Sequence, residues 1–292
     1  MQIANQAGFR IRSAGREDER AISRLLESGY LSHMHADWHS PADWLEGPGC
    51  VLAFDGRAAK ALAACLAAAA DSRPAAWVRL AAVASQARGA ELLAEMFAAI
   101  EGRLRALGVR QIGWLASPEW PAGWLEAVGF RLLTEVITLA RPAGRPAIAR
   151  AKAQIRPAVA ADLPAVAALE ALAFEPLWRH NLETLRRAQP AAAYFELALV
   201  GGEAAGYCYA ARGQGPHSAH IVRLAVAPDY QNRGVGSALL AHALDKLKQS
   251  GFRHISLNTQ ADNGQSLRLY RRFGFEELGD RWPVWLMEYG AG

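Results

Sequence analysis

The chain has 292 residues, long enough for two domains that each bury a core, and its 52% hydrophobic and 21% charged residues exclude a disordered or low-complexity protein. A net charge of +4 would suit a polyanionic ligand, but lysine and arginine form no run or stripe, which argues against nucleic acid. The most apolar stretch, residues 61–70, is too short to cross a bilayer and the N-terminus lacks a signal-peptide core. A cytoplasmic protein with no membrane partner is therefore expected, in which the scattered Cys50, Cys65 and Cys208 are reduced and buried.

Taken in chain order, the sequence repeats. Ile11-Arg12-x-Ala14 recurs as Ile155-Arg156-x-Ala158 and Val78-Arg79-Leu80-Ala81 as Val222-Arg223-Leu224-Ala225, each 144 residues on. Gly-x-Arg-x-Ile recurs from Gly108 to Gly251 and Gly129-Phe130 recurs as Gly274-Phe275, at offsets of 143 and 145. Four matches in one order at nearly constant spacing indicate two copies of one fold. Copy one occupies residues 1–143, a proline-bearing stretch at 144–154 reads as a linker, and copy two occupies 155–292. Each copy is expected to run as a short strand, one or two helices, a strand run, a long helix, a strand, a helix and a final strand pair.

In copy one, His33, His35 and His39 alternate, but no cysteine or firm carboxylate accompanies them, and no metal is expected. Trp114, Trp120 and Trp124 read as core or domain-interface residues. In copy two, Ile155-Arg156 opens a strand, Asp162 caps a helix reaching about Phe174, and a second helix follows near Asn181. Tyr194 to Val200 and Glu203 to Ala210 form a hairpin turning at Gly201-Gly202, and His220 to Ala227 is an apolar strand needing cover on both faces. The next helix places Leu239, Leu240, Ala243, Leu244 and Leu247 on one stripe and stops at Gly251. A strand at Leu257 to Gln260 then leads through Asn263 to a helix carrying Tyr270. The fold class is α/β (α+β), two tandem domains each built on a mixed, mostly antiparallel sheet with helices on both faces.

Strand and long helix of copy two are joined by Pro228-Asp229-Tyr230-Gln231-Asn232-Arg233-Gly234-Val235-Gly236-Ser237. Without Cβ atoms, Gly234 and Gly236 let the backbone approach a phosphate, and the N–H groups of the helix start point at it. A pyrophosphate is the natural guest, and a plain surface turn is the alternative. No Gly-Lys-Ser/Thr follows, and the third glycine of the dinucleotide fingerprint is missing. Together with Leu224-Ala225-Val226, the Gln-x-x-Gly-x-Gly from Gln231, the Ala261-Asp262-Asn263 turn and the Leu269-Tyr270 to Gly274-Phe275 ending, this segment makes copy two similar to the GNAT superfamily of N-acetyltransferases over nearly its full length. The tandem layout is similar to that of mycothiol synthase.

The resemblance implies a splayed sheet centre and a co-substrate, acetyl-CoA, held by Leu224, Ala225, Val226, Gln231, Asn232, Arg233, Gly234, Val235, Gly236, Ser237, Asn263 and Tyr270. It implies direct attack of a primary amine, from a small molecule or a peptide, in a ternary complex. A backbone N–H near Val226 would stabilise the oxyanion where the strand splays, Tyr270 would protonate the leaving thiolate, and His220, six residues before Val226, would take the amine proton. Asn258 closes one alternative route for the base, while Glu175, Tyr207 or a water chain remain substitutes. Trp178, Trp282 and Trp285 would border the acceptor cleft. Copy one lacks Gly-x-Gly after Ala82 and has Leu125 and Pro118 where copy two has Tyr270 and Asn263, so it is expected to be degenerate and not catalytic. The alternative function is a non-catalytic acyl-CoA sensor or interaction module, and the chain is expected to be a monomer with pseudo-dimeric domains or a homodimer.

Overall fold

The computed structural model describes residues 2–6, 8–35, 41–56, 61–142 and 153–290; His39 and positions 144–152 of the expected linker lie outside them. The chain divides into two compact units, Met1–Thr134 with Trp282–Gly292, and Glu135–Arg281. No helix among the described residues is long and apolar enough to cross a membrane.

The first unit contains β1 (Gln2–Gln6), β2 (Phe9–Ser13), α1 (Glu19–Ser28), β3 (Leu31–Met34), β4 (Cys50–Asp55), β5 (Leu62–Ser72), β6 (Ala75–Val83), α2 (Gly89–Ala106), β7 (Gln111–Leu115) and α3 (Ala122–Val128), and it includes the start of β8 (Arg131–Pro142). Strands β2, β4, β5 and β6 pair antiparallel in that order, and β6 and β7 run parallel. Helix α2 turns Leu93, Met96, Ile100 and Leu104 onto the sheet, all fully buried, and each contributes about 1.5–3 kcal/mol of burial. Cys50 and Cys65 are buried free thiols here, as is Cys208 in the second unit. His33 is also buried, its Nε2 facing Val78 O at 3.3 Å, and burial lowers its pKa to about 4, so it is neutral.

The second unit starts in β8 and continues through β9 (Gln154–Pro157), α4 (Leu163–Ala173), α5 (Leu182–Ala191), β10 (Tyr194–Val200), β11 (Glu203–Arg212), β12 (Ser218–Val226), α6 (Val235–Gln249), β13 (His254–Gln260), α7 (Gly264–Arg272) and the first part of β14 (Glu276–Glu288). Its sheet runs β8-β13-β12-β11-β10-β9, antiparallel except where β12 meets β13. The stripe expected on α6 is buried on one face with Phe252, Ile255 and Phe275. On the other face, Leu163, Val166 and Leu169 of α4 and Leu185 of α5 cover Phe195, Leu197, Tyr207 and Tyr209. The two layers cover both faces of the strands, so that the neighbours Ile221 and Val222 of β12 pack on opposite sides.

The internal repeat is visible in side chains as well as motifs. Arg12 pairs with Asp18 at 2.6 Å, and Arg156 pairs with Asp162 at 2.7 Å. Asp162 does not cap α4 with its side chain; the carboxylate turns back to accept from Arg156 and from Val159 N–H at 2.8 Å. The Arg156 hydrogen bond holds its pKa at about 2.

Two features depart from the sequence reading. Each copy ends in one long strand, β8 or β14, not a strand pair. The compact units also cross the expected domain boundary. The 136–142 stretch of β8 pairs with all of β13 and belongs to the second unit, whereas Val284–Glu288 of β14 pairs with Gln111–Leu115 and belongs to the first. Each repeat thus lends the end of its last strand to the other unit, which composition around a linker does not reveal.

Candidate functional site

The site forms where β12 leaves β13. The β11–β12 register slips between Tyr209 opposite Arg223 and Ala210 opposite Ile221, which makes Val222 the extra residue of a bulge. Parallel pairing with β13 runs only from Ser218 opposite His254 to Ile221 opposite Leu257. Past the bulge, β12 keeps β11 alone, and a gap opens on its other edge. Ala227 N–H donates to Ala205 O at 3.0 Å, so Gly206 and Val226 form a non-hydrogen-bonded pair. By the same alternation, the main-chain groups of Leu224 and Val226 face the gap, and Val226 O accepts from Gln231 Nε2 at 3.1 Å. Glycine is required at 206, because a Cβ there would lie 2.5 Å from Ala225 O. Ala225 does not join this edge: it stands opposite Tyr207 in a hydrogen-bonded pair, and its side chain is in the core beneath α4 and α5.

The loop beyond β12 makes a 3-10 turn at Pro228–Tyr230 and enters α6 through Asn232 at φ 58° and Gly234 at φ 84°. The first helical bond runs from Ala238 N–H to Gly234 O at 2.9 Å, and no side chain caps the helix. The N–H groups of Val235, Gly236 and Ser237 are therefore left outside the helix ladder, at its positive end. Val235 supplies backbone only, since its side chain is buried in the core, and Asn232 and Arg233 are exposed. A Cβ at Gly236 would meet Val226 Cγ2 at 3.4 Å and Leu269 Cδ2 at 3.7 Å, which places the helix start against both β12 and α7. Arg272 of α7 donates to Ser237 Oγ at 2.8 Å. An uncapped helix start beside an unpaired strand edge fits a long ligand with a phosphate at one end and amides along its arm.

Asn263 caps α7, its Oδ1 accepting from Ser266 N–H at 3.1 Å. Seven residues on, Tyr270 is buried, with its ring edge-on to Phe275 at 5.9 Å, and burial pushes the phenol well above its ordinary pKa. It is a protonated O–H donor throughout the neutral range. Its carbonyl accepts from Phe273 N–H at 3.0 Å and Phe275 N–H at 3.1 Å, so the helix end is wound around it.

His220 lies on the α4 and α5 face of β12, in the part still paired with β13. Its Nδ1 meets Ser256 Oγ at 2.8 Å, and burial lowers its pKa, so the ring is neutral near pH 7. Asn258 is taken up by Thr138, whose Oγ1 lies 3.0 Å from Asn258 Oδ1. Of the substitutes for the base, Glu175 is exposed, and Tyr207 is committed to Glu170, to which its hydroxyl donates.

Glu170 is a residue that sequence reasoning missed. Fully buried, it pairs with Arg223 Nε at 3.1 Å and accepts His180 N–H at 2.7 Å, while Arg223 stacks 4.5 Å over Phe174 and donates to Trp178 O. This network ties the 174–180 segment to β12 one residue past the bulge. Removing one member of such a buried pair typically costs about 3–5 kcal/mol. The signal was present: Glu170 is the single charge in an otherwise apolar α4. Trp178 is half-buried near this network, but Trp282 and Trp285 belong to the first unit, where Trp285 stands opposite Trp114 in the core. Core burial removes Trp285 from the acceptor cleft expected for it, whereas Trp282 is exposed.

In the first unit the corresponding gap is filled by the chain itself. Strand β7 pairs with β6 only from Ala75 to Trp77, and β3 pairs along the same edge farther on, with Met34 opposite Leu80 and Ser32 opposite Ala82. Leu80 and Ala82 are the counterparts of Leu224 and Val226 by the repeat offset. At the start of α2, Trp124 packs so tightly that a Cβ on Gly89 would lie 2.0 Å from its ring. Leu125, at the position of Tyr270, is a fully buried core residue. His33 and His35 meet at 6.3 Å between ring centroids, and no metal-binding group of three exists among the described residues.

Residues 163–275 match the model of the Acetyltransferase (GNAT) family. The ribosomal protein bS18-alanine N-acetyltransferase of Escherichia coli (strain K12) is 41% identical over 59 residues, covering 20% of this chain and 40% of that protein. The mycothiol acetyltransferase of Clavibacter sepedonicus is 46% identical over 59 residues, covering 20% of this chain and 19% of that protein. The match thus spans less than half the length of these curated relatives. A tandem GNAT protein from the clavulanic acid biosynthesis pathway shares the fold at a TM-score of 0.59 and 17% identity, over 97% of this chain and 99% of that one. The second unit therefore carries an acetyltransferase domain of the GNAT family, over residues 163–275.

Proposed function

We propose that the chain transfers the acetyl group of acetyl-CoA to a primary amine in a ternary complex, and that the second unit alone does so. The observation that carries this reading is the coincidence, in one unit, of the strand edge opened after Val222, the uncapped start of α6 and the protonated Tyr270. The N–H groups of Val235, Gly236 and Ser237 would hold the pyrophosphate, and the main chain of Leu224 and Val226 would pair with the amides of the arm. Bound acetyl-CoA supplies a thioester carbon open to attack. Val226 N–H then stabilises negative charge developing on the carbonyl oxygen, and Tyr270 O–H supports the departing sulfur.

An amine acceptor is mostly protonated at pH 7 and must lose a proton before it attacks. His220 is neutral there because burial lowers its pKa, so it can take that proton either directly or through water. Protonation of His220 as pH falls through that lowered pKa should remove activity, giving kcat/KM an acid limb below about pH 6.5. His220→Gln should erase that limb and lower kcat/KM at pH 7 by roughly tenfold, water standing in for part of the base. An acid limb that survives in the variant assigns the base elsewhere.

The first unit is proposed to take no acyl-CoA, because β3 and Trp124 occupy the two places the ligand would need. Isothermal titration with coenzyme A should saturate at one equivalent per chain, and acetyl-CoA should be consumed with members of an amine panel. Two equivalents would overturn the assignment of the first unit, and one equivalent with no transfer to any amine would favour an acyl-CoA sensor.

A further inference from the structure

Arg141 closes copy one in sequence yet lies in the second unit. It sits in the stretch of β8 that pairs with β13, opposite Ile255, and is 3% exposed. Its Nη1 donates to Phe273 O at 2.5 Å, and its guanidinium lies 5.8 Å over the ring of Phe275. Both contacts lead to Tyr270. Phe273 ends α7, its N–H donates to Tyr270 O, and the Phe275 ring packs edge-on against the Tyr270 ring. A cation placed at the carbonyl end of a helix also satisfies the last acceptors and opposes the negative pole of the dipole. From this geometry we infer that Arg141 is a positioning residue for acetyl transfer, borrowed from the first repeat, which fixes the end of α7 and thereby the orientation of the Tyr270 hydroxyl.

The first repeat, on this view, contributes to catalysis without holding a site of its own. Its last strand joins the catalytic sheet beside β13, and one buried guanidinium on that strand sets the helix that carries the acid. The inference rests on the proposed role of Tyr270, and a double-mutant cycle in the full chain separates the two. Arg141→Met should lower kcat about tenfold and leave KM for acetyl-CoA within twofold. In a Tyr270→Phe background the same change should lower kcat by less than twofold, since there is then no hydroxyl to orient. Arg141→Lys, which keeps the charge with a different reach, should recover at least half of the lost kcat when Tyr270 is present and change nothing in the Tyr270→Phe background.

Equal losses in both backgrounds would overturn the inference and leave Arg141 as a stabilising cap only, as would full kcat in Arg141→Met. If Arg141→Met does not fold, the cycle run with Arg141→Gln, which also removes the charge, decides: a loss confined to the chain that keeps Tyr270 supports the inference, and an equal loss or none overturns it. Should Tyr270→Phe alone leave kcat unchanged, it is the proposed acid that fails.

Discussion

Tyr270→Phe is expected to lower kcat about 100-fold, the lower end of what a positioned proton donor contributes, and to leave the dissociation constant of acetyl-CoA within about twofold. The asymmetry follows from where the ring sits. Its body is buried against Phe275 and the surrounding core, and phenylalanine fills the same volume, so packing is kept. Only the hydroxyl is lost, and in this reading the hydroxyl is needed when sulfur leaves, not when the ligand binds. Because burial raises the phenol pKa, its ionisation should contribute no basic limb to the rate profile below about pH 10. Steady-state kinetics with a productive amine, alongside a calorimetric titration, tests both halves. Unchanged turnover would remove Tyr270 from the chemistry.

The second large effect is expected from Gly236→Glu, which should weaken coenzyme A binding by at least about 100-fold, or roughly 2.8 kcal/mol. Space alone does not explain this, since a Cβ at the position would make ordinary contacts with Val226 and Leu269. Charge does. A carboxylate in the first turn of α6 can accept the unpaired N–H groups itself and sets a negative charge where a diphosphate would rest. Gly236→Ala, which adds the Cβ without the charge, should therefore bind nearly as well as the parent. Retained affinity in the glutamate variant would refute the phosphate loop, and an equal loss in both variants would mean that the loop excludes bulk rather than charge.

Much of the second unit could be read from its residues because its signals are local. The hairpin turn at Gly201-Gly202 and the apolar stripe of α6 depend on neighbours a few positions apart, and the structure has each where periodicity and turn chemistry put it. What the sequence concealed depends on distant partners. The bulge at Val222 is a property of two strands together, and a run such as Ile221-Val222-Arg223 carries no mark of it. The pairing of Glu170 with Arg223 joins residues 53 positions apart in sequence, and Arg141 meets Phe273 across a separation of 132. Ala225 lies within the segment that resembles the family, yet alternation along β12 turns its main chain toward β11, a distinction that a motif does not draw.

The traded end strands also dictate an order of assembly. As the chain emerges N-terminus first, β7 has no neighbour on its outer edge until Val284–Glu288 have been synthesised, so nascent copy one must wait with a row of unpaired N–H and C=O groups along Gln111–Leu115. Copy two faces no such delay, because β8 is made before any strand it will join. The half of the molecule that is translated first is therefore the half that finishes its sheet last.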